Sequence, residues 1–218
     1  LRTPVSGLNW LTESLQISGS NLTDRQKRYV SELSSYSKRL VEIVEDLLDL
    51  SRIQLKTSPG KKELLNVKDF INDFIEEMRV YADSKKHKLI FKNNNLSDLS
   101  VEMDKRELYN ILQNLVSNGI DYSPESTDVV IILNKEEENN IKISVSNSGS
   151  AIPEADKPRI FEKFYRGEEA KKIKTEGTGL GLHIVKLLAE NAGGKVGFES
   201  KEDKDTVFWF ILPIAKNK

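Results

Sequence analysis

Two amides, one guanidinium and three glycines are the groups in this chain whose types and spacing could do chemistry. In Gly177-Thr178-Gly179-Leu180-Gly181-Leu182 the glycines alternate, and the run passes directly into the apolar pattern Leu182, Ile184, Val185, Leu187 and Leu188. Glycine lets the backbone approach a ligand closely, and the first N–H groups of a helix have no partner within it. A glycine turn opening a helix therefore suits a phosphate. Many such triplets only pack a helix on a sheet, so the neighbours decide. Upstream, Asn114 and Asn118 stand four residues apart, which sets both amides on one face of a helix. An amide oxygen is a hard ligand that Mg²⁺ accepts beside phosphate oxygens and water. An isolated pair of this kind would as readily hydrogen-bond across a polar groove; its place before the glycine turns favours a metal site. Arg166 carries a planar fork of donors that matches phosphate geometry. Residues 168–176 are polar and lysine-rich with no apolar period, as expected of a mobile lid.

These groups need elements to hold them. Leu1, Val5, Leu8, Leu11 and Leu15 predict a helix to about residue 17, and Ser18 to Asn21 a turn. A second helix is expected over residues 24–54, with Leu33, Leu40 and Leu47 recurring every seven residues beside a row of Tyr36, Ile43 and Leu50. Two helices cannot cover so broad a stripe. A homodimer would close it into a four-helix bundle; packing onto the following domain is the alternative. The Pro59-Gly60 pair among polar residues marks a boundary, giving domains over 1–56 and 63–218. Helices are expected over 67–81 and 105–120. Strands are expected over 87–91, 99–101, 129–133, 141–145, 195–199 and 207–212. This order suggests α+β architecture: a helical hairpin, then a two-layer α/β sandwich.

Bulk composition narrows the partners. With 218 residues, 31% charged, 38% apolar and a net charge of −1, the chain has no overall basic field for nucleic acid. The absence of cysteine excludes a disulfide framework and thiolate chemistry. No apolar run is long enough to span a bilayer and no signal peptide opens the chain, so a cytoplasmic location is expected for this stretch. The first residues read as the inside of a motif, which is compatible with an anchor in a bacterial inner membrane upstream.

Taken together, the motifs resemble those of sensor histidine kinases, with their GHKL (Bergerat) ATP-binding fold. Asn114-Leu-Val-Ser-Asn118-Gly-Ile-Asp-Tyr122-Ser123 is similar to the N box and Asn147-Ser-Gly149-Ser-Ala-Ile152-Pro153 to the first glycine box. Phe161-Glu-Lys-Phe164-Tyr-Arg166 is similar to the F box and Gly177 to Leu182 to the second glycine box. Leu1-Arg2-Thr3-Pro4 resembles the tail of the phosphoacceptor motif. The resemblance implies ATP and Mg²⁺ as ligands, with Asn118 on the metal and Asn114 near the phosphates. Tyr122, Asn147, Gly149, Ile152, Phe164, Arg166, Gly177, Thr178, Gly179, Leu180, Gly181 and Leu182 would line the nucleotide site.

It further implies a homodimer through the hairpin and transfer of the γ-phosphate to a histidine two places before Leu1. From there the phosphoryl group would pass to an aspartate of a response-regulator receiver domain, with Thr3 at the position that orients water for dephosphorylating that regulator. Asn118, Arg166 and Thr3 are thus the candidate catalytic residues. His87 and His183 belong to no acceptor motif. Related ATPases of the gyrase and Hsp90 types carry a glutamate where this chain has Asn114; an amide cannot serve as general base, so a transferase is expected rather than a hydrolase.

Three departures stand out. Asn147 replaces an aspartate that accepts the adenine amino hydrogen, and Ala151 replaces a glycine, tolerable only at negative φ. Asp121 replaces a basic residue near the phosphates, where a carboxylate would repel them. They predict weakened ATP binding and keep open a degenerate, nucleotide-gated phosphatase or scaffold.

Overall fold

In a computed structural model, residues 7, 10–15, 17, 22–55, 61–94, 96, 99–137, 139–175, 177–202 and 204–215 are described. The Leu1–Pro4 motif with Thr3, the expected turn at 18–21 and the Pro59-Gly60 boundary lie outside them. Packing divides the chain into one unit of Leu1–Thr57 with Glu176–Thr178, and another of Ser58–Thr175 with Gly179–Lys218.

The first unit holds α1 (residues 10–15) and α2 (Asp24–Leu55). A capping box starts α2. The Thr23 N–H donates to Gln26 Oε1 at 2.9 Å, and the Gln26 N–H returns to Thr23 Oγ1 at 3.4 Å. Thr12, Val30, Ser34, Ser37 and Leu50 are buried, whereas Leu33, Tyr36, Leu40 and Leu47 are exposed. The seven-residue leucine row therefore lies on the surface.

In the second unit β1 (Glu63–Asn66) pairs antiparallel with β3 (Ser100–Met103). A five-stranded sheet runs in the order β2 (Lys88–Asn93), β4 (Asp128–Glu136), β5 (Asn140–Asn147), β7 (Thr206–Pro213) and β6 (Lys195–Glu199). β2 is parallel to β4, and every other pairing is antiparallel. Period-2 alternation gives the sheet its apolar side: Val129, Ile131 and Leu133, then Ile141, Ile143 and Val145, then Phe210 and Leu212, are all buried. The helices bring matching stripes: Ile71, Phe74 and Met78 from α3 (Val67–Ser84), Leu108, Ile111, Leu112 and Leu115 from α4 (Lys105–Asp121), and Ile184, Val185 and Leu188 from α6 (Gly181–Asn191). Asn66 caps α3 at the Asp69 N–H, and Asp104 caps α4 at the Arg106 N–H. Helices over a mixed sheet form the expected α/β sandwich.

Two features depart from the sequence expectation. β1 is unforeseen, because four residues with one buried side chain carry no readable period. Residues 168–173, read from sequence as part of a mobile lid without an apolar period, form helix α5 (Glu168–Ile173). Its support is charge rather than an apolar face. Glu168 pairs with Lys171 and Glu169 with Lys172, acids in the first turn and lysines in the last, each favourable to the helix dipole.

Candidate functional site

Asn114, Asn118 and Asp121 recur at i, i+4 and i+7, so they share one face of α4. Asn114 Nδ2 donates to the Asn110 carbonyl at 2.8 Å, which turns its oxygen outward against Gly181 at the start of α6; a Cβ on Gly181 would collide with it. The N box and the second glycine box are thereby in contact. Asn118 is half-buried, and its carboxamide has no hydrogen-bond partner among the described residues. Tyr122 caps the helix, its N–H donating to the Asn118 carbonyl at 3.0 Å, and its side chain is half-buried.

Glycine spacing draws the other motifs in. A Cβ on Gly149 would stand 2.6 Å from the Tyr122 carbonyl oxygen, so the first glycine box lies on the C-terminus of α4. Gly179, at φ +70°, would place a Cβ 2.7 Å from the Phe164 carbonyl carbon, so the second glycine box lies on the F box. Gly177 also has positive φ, at 146°. Leu180, the residue before α6, makes no side-chain cap bond to the helix. Leu180 itself is fully buried. Thr178 groups by packing with the first unit.

The F box is tied by its own network. Tyr165 Oη donates to Asp156 at 2.6 Å, and the Arg159 guanidinium lies 4.2 Å over the Tyr165 ring. The hydrogen bond to the Asp156 carboxylate holds the Tyr165 phenol above its ordinary pKa. Phe164 is exposed and sits at φ +62°, a left-handed conformation that is uncommon for a large side chain. The Arg166 guanidinium donates to the carbonyls of Thr175, at 3.0 Å, Lys174 and Ala170. It thus closes the C-terminal end of α5.

The three departures have local answers. Ala151 is not among the residues with positive φ, so its Cβ is accommodated. The buried Asn147 amide is held within the fold: its nitrogen donates to the Thr206 carbonyl at 3.2 Å, and its oxygen accepts from Ser123 Oγ at 3.0 Å and from the Gly149 N–H at 3.1 Å. A carboxylate there would set an oxygen against the Thr206 carbonyl, which accounts for the amide. Next along the box, the Ile152 N–H donates to Ser200 Oγ at 2.8 Å. Asp121 was expected to repel phosphates, yet its carboxylate is buried and paired. It accepts from Tyr81 Oη at 2.8 Å and from Lys174 Nζ at 2.7 Å, with Lys85 Nζ at 4.0 Å. Sequence reasoning missed Tyr81 and Lys174, which lie 40 and 53 residues from Asp121.

His87 and His183 are both held by backbone: Nδ1 of each is within 3.0 Å of the carbonyl of Thr127 or Phe161 respectively. Among the described residues no group of three or more His, Cys, Asp or Glu could hold a metal. A cation here would have to rest on an amide oxygen plus ligand oxygens and water. That donor set fits Mg²⁺ and not zinc.

Residues 103–216 match the model for the histidine kinase-, DNA gyrase B-, and HSP90-like ATPases, and residues 1–56 match the His Kinase A (phospho-acceptor) domain. The chain is 32% identical over its whole length to the sensor histidine kinase WalK of Bacillus subtilis (strain 168), covering 36% of it. To the sensor-like histidine kinase SenX3 of Mycolicibacterium smegmatis it is 32% identical over 98% of its length, covering 54% of that protein. The chain therefore spans about a third to a half of these relatives. A structure of full-length ShkA in complex with AMPPNP superposes with a TM-score of 0.76 at 25% identity, over 99% of this chain and 44% of that one.

Proposed function

Because the chain belongs to the sensor histidine kinases, we propose that it is the core in which ATP donates its γ-phosphoryl group to a histidine just upstream of Leu1, and thence to a response-regulator aspartate. The observation that carries this is a chain of contacts: the second glycine box meets α4 at Asn114, the first glycine box meets its C-terminal cap at Tyr122, and the F box meets the second glycine box at Gly179. In the first transfer an imidazole nitrogen forms a bond to phosphorus, the bond to the bridging oxygen of ADP breaks, and the imidazole proton is released.

The chain's own residues position rather than react. Gly149 and Tyr122 shape the adenine end, with Asn147 and Ile152 fixing that box through Thr206 and Ser200. The glycine turn that opens α6 at Gly181 would bring the N–H groups of that helix start to phosphate oxygens. Asn118, whose amide has no hydrogen-bond partner among the described residues, would hold Mg²⁺, and the bound ion would offset charge on the phosphates. Asn114 offers no general base, which favours transfer over hydrolysis. The accommodated departures do not favour the degenerate phosphatase or scaffold. A chain extended upstream through the acceptor histidine, incubated with γ-labelled ATP, tests the reading. Acid-labile, base-stable label lost on replacing that histidine is the expected result, and a folded, unlabelled chain would refute it.

Two further outcomes follow from this reading. Arg166→Ala should slow phosphoryl transfer by about 10²-fold while weakening ADP binding only about threefold, because the fork acts on developing charge. Equal losses would confine Arg166 to closing α5. The exposed row of Leu33, Leu40 and Leu47 serves as a homodimer seam. Leu40→Glu with Leu47→Glu should turn the dimer into a monomer at about micromolar concentration by light scattering. An unchanged mass would place the seam elsewhere. No described helix is long and apolar enough to cross a membrane.

A further inference from the structure

We propose that Asp121 is a positioning residue that stations the Lys174 ammonium as a phosphate-facing cation on the α4 face carrying Asn114 and Asn118. The inference rests on the nucleotide site described above and reverses the electrostatic sign that Asp121 suggests in sequence. The carboxylate is only 7% exposed and both its oxygens are engaged, one by Tyr81 Oη at 2.8 Å and the other by Lys174 Nζ at 2.7 Å. Lys85 adds a second ammonium at 4.0 Å, so one negative group faces two positive ones. The cluster is net positive, and a phosphate nearby meets attraction.

Lys174 is placed rather than merely attracted. Its N–H donates to the Ala170 carbonyl at 3.0 Å, its own carbonyl accepts from Arg166, and Tyr81 fixes the carboxylate that holds its ammonium. A lysine ordinarily loses much rotamer freedom on contacting a ligand; here that ordering is done in advance. An ammonium has three donors and Asp121 takes one. The Lys174 side chain is 39% exposed, so the remaining donors have access to a ligand. Asp121 lies one turn beyond Asn118 on the same helix face, which puts the ammonium beside the amide assigned to the metal.

The test is calorimetric titration of the chain with ATP, ADP and adenosine in the presence of Mg²⁺. Wild type is compared with Lys174→Met, Asp121→Asn and the double variant, each checked by thermal melting. Asp121→Asn keeps an oxygen for the Tyr81 hydroxyl. Lys174→Met should weaken ATP and ADP about tenfold and leave adenosine unchanged. Asp121→Asn should weaken ATP about threefold when Lys174 is present and not at all when Met replaces it. Tighter ATP binding by Asp121→Asn alone would overturn the proposal, since the carboxylate would then be repelling phosphate. So would additive effects, or an equal loss of adenosine affinity on Lys174→Met. If both variants bind ATP as wild type does, this proposal fails and the nucleotide site stands. If wild type binds neither ATP nor adenosine, both fail.

Discussion

Gly179→Val should lower ATP affinity by at least about 10²-fold while the melting temperature falls by only a few degrees. Gly179 holds φ +70°, where a β-branched residue costs about 1–3 kcal/mol in strain. The larger effect is collision. The new Cβ would lie 2.7 Å from the Phe164 carbonyl carbon and 2.9 Å from the Tyr165 carbonyl oxygen, both backbone atoms that cannot rotate aside. Relief requires the glycine turn to move off the F box, which displaces the start of α6 and the N–H groups expected to face phosphate. The buried stripe of α6, Ile184, Val185 and Leu188, lies beyond that turn and keeps the helix seated.

Gly193→Ala is the control. Gly193 also has positive φ, +80°, but the nearest atom to its Cβ would be Pro213 Cγ at 3.9 Å. It should cost about 1 kcal/mol of stability with ATP affinity unchanged. Titration and melting of the two variants would separate strain from collision. Unaltered affinity in Gly179→Val would detach the second glycine box from the nucleotide.

That contrast also shows what a sequence can carry. The glycine triplet and the amide pair were legible because a ligand-binding turn and a helix face are local patterns. The helices α3, α4 and α6 were legible because each buries one stripe, α2 because its apolar residues recur at helical spacing although Leu33, Leu40 and Leu47 are exposed, and the long strands because they alternate. The role of Asp121 was not, since its meaning is set by Tyr81 and Lys174, which no spacing rule connects to it. Read locally, a carboxylate near phosphates repels them; in the folded unit it is a tether for a cation. Helix α5 escaped for a related reason, as it is held by Glu–Lys pairs and by Arg166 on its terminal carbonyls rather than by an apolar face. The bonds that hold the Asn147 amide were not legible, because its partner Thr206 belongs to a strand at the other end of the domain sequence.

Asn118 offers the sharpest separation of folding from chemistry. Its carboxamide has no hydrogen-bond partner among the described residues and its side chain is half-buried, so Asn118→Ala removes no interaction that holds α4. Alanine also has the higher helix propensity, by about 0.5 kcal/mol, so the melting temperature should hold or rise slightly. Phosphoryl transfer in the chain extended to its acceptor histidine should nevertheless fall about 10³-fold, the scale on which removing a preorganised charge-stabilising group acts. Adenosine affinity should be unaffected, since that ligand has no phosphate for a metal to bridge. Asn118→Asp should recover part of the rate, because a carboxylate oxygen is also a hard ligand for Mg²⁺. Loss of rate in Ala with partial recovery in Asp requires an oxygen ligand at this position, whereas equal rates in all three would place the metal on other groups and leave Asn118 a surface amide. That its side-chain amide has no hydrogen bond among the described residues argues for the first outcome, since the neighbouring amides Asn114 and Asn147 are both bound within the fold.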